Sequence, residues 1–438
     1  MAYLPNIIFA IFLVVGIGYF TLNIRKIIRN IKLGHNVDVS DNKSERWSNM
    51  ARIALGQSKM VKRPVSGFLH IIVYIGFIII NIEVLEIIID GLFGTHRIGQ
   101  KYLPEALYGF LIGAFEILAV LVLVSVIVFW LRRNVIKLRR FMANEMKGWP
   151  KSDGNIILYF EVVLMCLFLI MNATDVVFQT ADSGNVISQF IAPWFSGFSE
   201  ATLFTVERTA WWLHIVGILV FLNYLYFSKH LHILLAFPNV YFGSVEPKGK
   251  LNNLEAVTAE VKLMMDPDAD PYAVEPETAE EEIPAKFGAS DVMDLNQIQL
   301  LNAYTCTECG RCTSACPANL TGKKLSPRKI MMDTRDRLEE VGKNIDINKG
   351  KFVDDGKQLL GDYITNEELW ACTTCNACVE ECPVSINPLS IIMDMRRYLV
   401  MEQSAAPMEL NNMMTNIENN GAPWPYNQMD RLNWKDEN

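Results

Sequence analysis

The sequence predicts an all-α protein in two parts, a five-helix transmembrane bundle followed by a helical soluble domain built around metal-binding cysteines. Three observations carry the prediction. Hydrophobic residues make up 51% of the 438-residue chain, and they crowd into the part before about residue 235. Lys and Arg gather in alternate loops between the apolar stretches. Eight of the nine cysteines fall in two tight groups in the remaining part of the chain. The net charge of −8 argues against a nucleic-acid partner.

The apolar segments come first. They cover roughly 5–24, 67–90, 105–131, 156–174 and 209–228, each about the 20 residues needed to cross a bilayer core. The first is followed by Arg25, Lys26, Arg29 and Lys32, with no small-residue cleavage site, and reads as a retained anchor. Orientation follows from the loops. The loop 25–66 carries ten Lys or Arg and the loop 132–155 carries seven. The loop 91–104 has only Arg97 and Lys101, and 175–206 has none. Positive loops stay in the cytoplasm. A multi-pass protein with its N-terminus outside and everything after Lys229 inside is expected. The grouped cysteines suit the same reducing compartment, as metal ligands rather than disulfides.

Six histidines are present, at positions 35, 70, 96, 214, 230 and 232. His70 falls near the cytoplasmic end of the second segment. His214 and His232 are spaced as five helical turns, which on one continuous helix places them on a shared face about 27 Å apart. That is too far to hold one iron, but it suits one ligand for each of two haems. His70 and His232, at one depth near the inner surface, make an axial pair for a haem b. His214 marks a second, outer site without an evident partner, for which His96 is the candidate on that side. Gly67, Gly76 and Gly217 would let a flat macrocycle approach the backbone. The plain alternative is that these are interfacial or helix-bridging histidines, although ionisable residues inside a membrane are rare and usually functional. Glu83, Glu86, Glu116 and Glu161 also fall within the spans, either as proton carriers at a quinone pocket or as paired groups of the bundle interior.

Residues 266–282 hold eight Asp or Glu, three Pro and no Lys or Arg. Such a stretch cannot bury enough apolar surface to order itself and reads as a flexible tether. The implied organisation is a membrane domain over 1–240, an acidic linker over 241–290, a cluster domain over 291–400 and a tail over 401–438.

The cysteine groups carry the most specific signal. Cys306-x2-Cys309-x2-Cys312-x3-Cys316-Pro317 and Cys372-x2-Cys375-x2-Cys378-x3-Cys382-Pro383 each match the bacterial pattern for [4Fe–4S] clusters. In that pattern three thiolates of one run and the last of the other share a cluster. One cluster therefore takes Cys306, Cys309, Cys312 and Cys382, the other Cys372, Cys375, Cys378 and Cys316. Structural zinc uses paired knuckles, which this doubled set ending in Cys-Pro does not resemble. Each group precedes a similar segment starting at Pro327 or Pro388, with Ser326 and Asn387 placed as N-caps. The 55 residues between the groups look helical. Cys166 reads as a small buried apolar residue.

Two resemblances follow from these residues. Gly67-Phe-Leu-His70, His214 and His232-x5-Pro238 resemble the haem-b membrane subunit of respiratory nitrate reductase. That resemblance implies His70 and His232 as the inner haem pair and His214 as one ligand of an outer haem. The outer partner falls near Ile80, a non-ligand. The last 150 or so residues, including Ile417-Glu-Asn-Asn-Gly-Ala-Pro-Trp424, resemble the iron–sulfur subunits of heterodisulfide reductase and anaerobic glycerol-3-phosphate dehydrogenase. Together they imply a fused membrane and iron–sulfur electron carrier of the bacterial inner membrane. They also imply menaquinone as substrate, and a separate CCG-domain subunit or electron-transfer flavoprotein as partner. No Gly-rich dinucleotide fingerprint follows a strand, so hydride chemistry would belong to a partner. Reversed flow from quinol to a heterodisulfide-type site, or a redox sensor without turnover, are the alternative expectations.

Overall fold

A computed structural model describes residues 3–180, 184–267, 286–425 and 427–436. Among them every regular element is helical, and no strand longer than an isolated bridge occurs. Five helices are long and apolar enough to cross a membrane: Leu4–Ile31, Pro64–Phe93, Glu105–Asn134, Trp149–Thr174 and Glu200–Phe227. We call them the first to fifth spans.

Local chemistry sets their ends. Pro occupies the first turn of the first, second and fourth spans, where its missing N–H costs nothing. Gly94, left-handed at φ 71°, stops the second. Ser199 caps the fifth by accepting from the Thr202 amide. Each span packs on the next and the first returns to the fifth, so the five close into a ring. Its core includes Phe9, Ile80, Phe115, Phe168, Trp211 and Ile215, while Ile11, Val15, Phe68, Leu85, Phe110 and Val124 point outward and exposed. An apolar exterior around a packed interior is what a lipid solvent requires.

The fifth span departs from expectation at its start, and no continuous helix carries it on to His232. It starts at Glu200 rather than 209, because Glu207 and Arg208 are carried inside the helix. His214 therefore lies near mid-helix instead of near one end. After Phe227 the chain breaks at Ser228, whose backbone is extended (φ −115°, ψ 146°). The Ser228 hydroxyl accepts from the His230 amide and starts a fresh turn, and a separate helix runs His232–Phe242. His214 and His232 thus do not share one continuous helix, and the five-turn register between them does not hold.

The expected glycine roles change as well. A side chain at Gly67 would meet the Met60 carbonyl, one at Gly76 would meet Val122, and one at Gly217 would meet Leu164. These glycines let protein elements pack closely; they do not line a gap for a macrocycle.

In the cysteine-rich part, helix Gln297–Thr305 is fixed by a capping box between Asn296 and Gln299. The helices Pro327–Ile347 and Pro388–Arg397 start with Ser326 and Asn387 as side-chain caps and Pro in the first turn. Arg337, fully buried, is held by Asp291, Asp355 and the Lys357 carbonyl. Of the acidic linker, residues 268–285 lie outside the described residues; within it Glu255–Met265 is helical, and Ala289 near its end is already buried in the domain core.

Candidate redox site at the junction of bundle and cysteine loops

The two cysteine loops are built alike. After the first cysteine of each run, Glu308 (φ 54°) and Thr374 (φ 54°) turn left-handed, as do Gly310 (φ 71°) and Asn376 (φ 58°). Two left-handed residues curl each loop so that its thiols converge. Cys382 lies within electrostatic reach of Cys306, Cys309 and Cys312. Cys316 stands in the same relation to Cys372 and Cys378. The donor set is thus two groups of four, each drawing one thiol from the opposite run. Burial pushes Cys306 and Cys378 up to about 12 and Cys382 to about 11. Cysteines so placed are neutral thiols until a metal displaces their protons. Backbone amides of Thr374 and Ile386 point at the sulfurs of Cys372 and Cys382.

The surroundings differ. Cys306 and Cys382 are buried, whereas Cys375 is exposed. Arg311 and Arg140 act electrostatically on Cys309, and Lys59 on Cys382. Arg396 acts on the other set, at Cys372, where it also donates to the Cys372 carbonyl at 2.6 Å.

The bundle meets this domain through the two Lys/Arg-rich loops and the end of the fifth span. Arg311 donates to the carbonyls of Lys59 (3.2 Å) and Met60 (3.3 Å) just before the second span. Arg63 reaches Ser314 (2.9 Å) and Glu381 (3.1 Å). Lys62 pairs with Glu380. Buried Arg328 binds Glu145 and the Arg140 carbonyl in the loop before the fourth span. Glu308, inside the first cysteine run, is buried and pairs with Lys229 and with Arg335. Burial opposes its charge, but those two cations hold its carboxyl below the usual range. Lys229 also lies 3.7 Å from buried Asp153, which accepts from the Tyr224 hydroxyl at 2.6 Å.

Beside this network the rings of His70 and His232 stand 6.5 Å apart, centre to centre. Two imidazoles binding one metal from opposite sides, each through a bond of about 2 Å, hold their ring centres about 6 Å apart. His232 Nδ1 lies 3.1 Å from the Lys229 carbonyl; as donor there it leaves Nε2 with its lone pair free, the arrangement that orients ligating histidines. His70 Nδ1 is buried without a partner, and so is the Tyr74 hydroxyl one turn along the same face. These residues fit a haem iron. His230 stands 5.3 Å from His232 and packs on Phe221. Burial holds both His230 and His232 below the usual imidazole range, as neutral rings.

Away from this end the expected outer site is closed. His214 is buried, its Nδ1 3.0 Å from the Leu164 carbonyl and its ring beside Phe168. His96 has both nitrogens engaged, Nε2 with Asp175 (3.1 Å) and Nδ1 with Arg208 (3.3 Å). It offers no free nitrogen to stand opposite His214. His96, Asp175 and Glu207 bring ligand atoms within 4.8 Å of one another, but Arg97 binds Asp175 and Arg208 binds Glu207, so the charge is already balanced. Of the span glutamates, Glu116 accepts from Asn172 and the amides of Ile187 and Ser188, and Glu86 accepts from Gly99 and Tyr108. Glu83 is buried with one oxygen unpartnered.

Sequence reasoning did not find the Lys229–Glu308–Arg335 network or Tyr74. A Glu between two cysteines of a cluster motif was the one available signal; its partner 79 residues away was not readable.

Cysteine loops, a covering of cations and a membrane-length bundle define the class: this is an iron–sulfur electron-transfer membrane protein. Residues 305–386 match the 4Fe-4S dicluster domain family. Over 98% of its length the chain is 30% identical to the probable iron-sulfur-binding oxidoreductase FadF of Bacillus subtilis, covering 61% of that protein. Over 88% it is 26% identical to the EtfAB:quinone oxidoreductase of Syntrophomonas wolfei, covering 53% of it. A shorter similarity, 31% over 27% of this chain and 60% of the relative, links it to one of the subunits of a ferredoxin/F(420)H(2)-dependent CoB-CoM heterodisulfide reductase of Methanosarcina acetivorans. The chain thus spans between half and two thirds of the length of the curated relatives that it matches along most of its own. No solved structure matches it.

Proposed function

We propose that the chain is the electron conduit between a cytoplasmic redox partner and menaquinone in the bacterial inner membrane. Cys306, Cys309, Cys312 and Cys382 would hold one [4Fe–4S] cluster, Cys372, Cys375, Cys378 and Cys316 the second, and His70 with His232 a haem b. When bound, these groups supply one-electron carriers; the chain supplies their positions and surroundings.

The observation that carries the reading is the junction. Glu308, between Cys306 and Cys309, is tied to Lys229, whose carbonyl in turn holds His232. One short hydrogen-bonded path thus links the buried cysteine set to the imidazole pair. Cys375 is the exposed thiol of the second set, which suits docking of a donor there. A relative named EtfAB:quinone oxidoreductase supports an electron-transfer flavoprotein in that role, and one named as a heterodisulfide reductase subunit supports a separate partner subunit, which we propose to be a CCG-domain protein. The Lys/Arg-rich loops lie on the side of the cysteine domain, which supports a cytoplasmic face there and an N-terminus outside.

Dithionite-reduced membranes containing the anaerobically purified protein should show a b-type absorbance band that a menaquinone analogue bleaches, with about eight non-haem irons per chain, as two cubane motifs require. A cluster-replete sample without the band removes the haem from this reading. Zinc in place of iron removes the reading altogether.

A further inference from the structure

A cleft of about 410 Å³, its open mouth included, lies where the fifth span leaves the bundle and meets the cysteine domain. Its outer lip is aromatic and at membrane-surface level: Trp149, Tyr226 and Phe227, with Trp149 and Phe227 exposed. Its inner wall carries Tyr304, Lys229 and Glu339. Tyr304 sits in the last turn of the helix that ends in Cys306, and Lys229 leads to His232. We infer that this cleft seats the head group of an isoprenoid quinone, directly between the buried cysteine set and the imidazole pair. The inference rests on the reading that the chain passes electrons to quinone, and adds where.

The chemistry of the wall selects a neutral head group. Lys229 and Arg335 are the cations at the cleft, and they are already neutralised by Glu308, Asp153 and Asp336. Glu339 adds a further carboxylate, so a lipid phosphate gains nothing there. What remains is hydrogen-bonding capacity without a taker. Among the described residues, neither the Tyr226 hydroxyl nor the Glu339 carboxyl makes a hydrogen bond. The Tyr304 hydroxyl accepts from Asn30 and keeps its own proton to donate. Burial raises the pKa of Glu339 despite Arg335 nearby. Two phenols suit the two carbonyls of a quinone, and an aromatic lip at the interface suits a chain that continues into lipid.

The reaction balances. The quinone would gain two electrons, one at a time, with a reduced [4Fe–4S] cluster on the Cys306 set as the one-electron reductant, re-reduced by the cytoplasmic redox partner between the two steps. It gains two protons, one through Glu339, which is recharged from the cytoplasmic side, and one from solvent at the cleft, and leaves as quinol.

The test uses the full-length, cluster-loaded protein in lipid nanodiscs with an arylazido menaquinone analogue. After photolysis, adducts should map by mass spectrometry to peptides carrying Tyr226–Lys229 and Tyr304, and excess menaquinone should remove them. In Tyr226→Phe, half-maximal labelling should need several-fold to about tenfold more analogue, as expected for one lost hydrogen bond; in Glu339→Gln labelling should be unchanged while menaquinone oxidises the reduced protein more slowly; iron content and spectrum should be unchanged in both. Competable adducts mapping instead around Glu83, Arg208 and Trp211 would overturn the location while leaving the conduit reading intact. No competable adduct anywhere, with menaquinone also failing to oxidise the reduced protein, would overturn both.

Discussion

The two ends of the helix bundle use the same side-chain types to opposite effect. At the end facing the cysteine domain, His70 Nδ1 and the Tyr74 hydroxyl are buried without a partner among the described residues, and His232 spends Nδ1 on the Lys229 carbonyl. At the far end, His96, Arg97, Asp175, Glu207 and Arg208 satisfy one another. Burial opposes the charge on Asp175, but hydrogen bonds from His96 and Arg97 hold its carboxyl well below the usual range. An imidazole in a membrane span is therefore not a ligand by position alone. The features that single out His70 and His232 as candidates are a nitrogen left free and a second ring 6.5 Å away.

The largest expected effect breaks the comparison outright. His70→Ala and His232→Ala should each remove the b-type band entirely, while His214→Ala and His96→Ala should keep it. Retention of the band in either of the first two, read in dithionite-reduced membranes, would show that the open end is not the haem site. Next, Cys316→Ser and Cys382→Ser should each cost about half of the non-haem iron, since each serial motif lends one thiol to the other cluster. Loss should be read from the electron paramagnetic resonance of the cluster that remains. In Cys382→Ser the survivor should be the exposed set, the one more readily stripped by chelator.

The closed end makes a prediction about stability. Asp175→Asn leaves the buried guanidinium of Arg97 without its counter-charge, a class of change that costs about 3–5 kcal/mol. Thermal unfolding in detergent should drop sharply while the haem band, at the other end, persists up to the new transition. A bundle as stable as the wild type would mean that the Arg97–Asp175 pair is not what locks these loops. The smallest effect belongs to Ser199→Ala, which removes the cap of the fifth span at a cost of about 1 kcal/mol and should leave iron and haem content unchanged.

Where the fold was legible, the signal was local. Cap residues and first-turn prolines are read by the backbone a few residues away, so Ser326-Pro327 and Asn387-Pro388 could be placed without tertiary information. The start of the fifth span, and the helix break that follows its end, were misjudged for the converse reason. Glu207 and Arg208 look incompatible with a membrane helix until Arg208 is seen to neutralise Glu207 and to reach His96. No periodicity reveals that Ser228 breaks the helix, because serine is tolerated in either conformation and the break is held by its bond to His230. The glycines were misassigned because a missing side chain marks close approach without saying of what.

Composition, charge distribution between loops and the spacing of eight thiols are properties of the chain in order, and they alone determined a five-span bundle with an iron–sulfur domain. Which atoms remain free is a property of what folds against them. Only the tertiary structure could bring Glu308 to Lys229, draw His232 toward His70, and tie up both nitrogens of His96. Ligand availability depends on unspent hydrogen-bonding capacity, and that is settled by contacts between residues far apart in the chain.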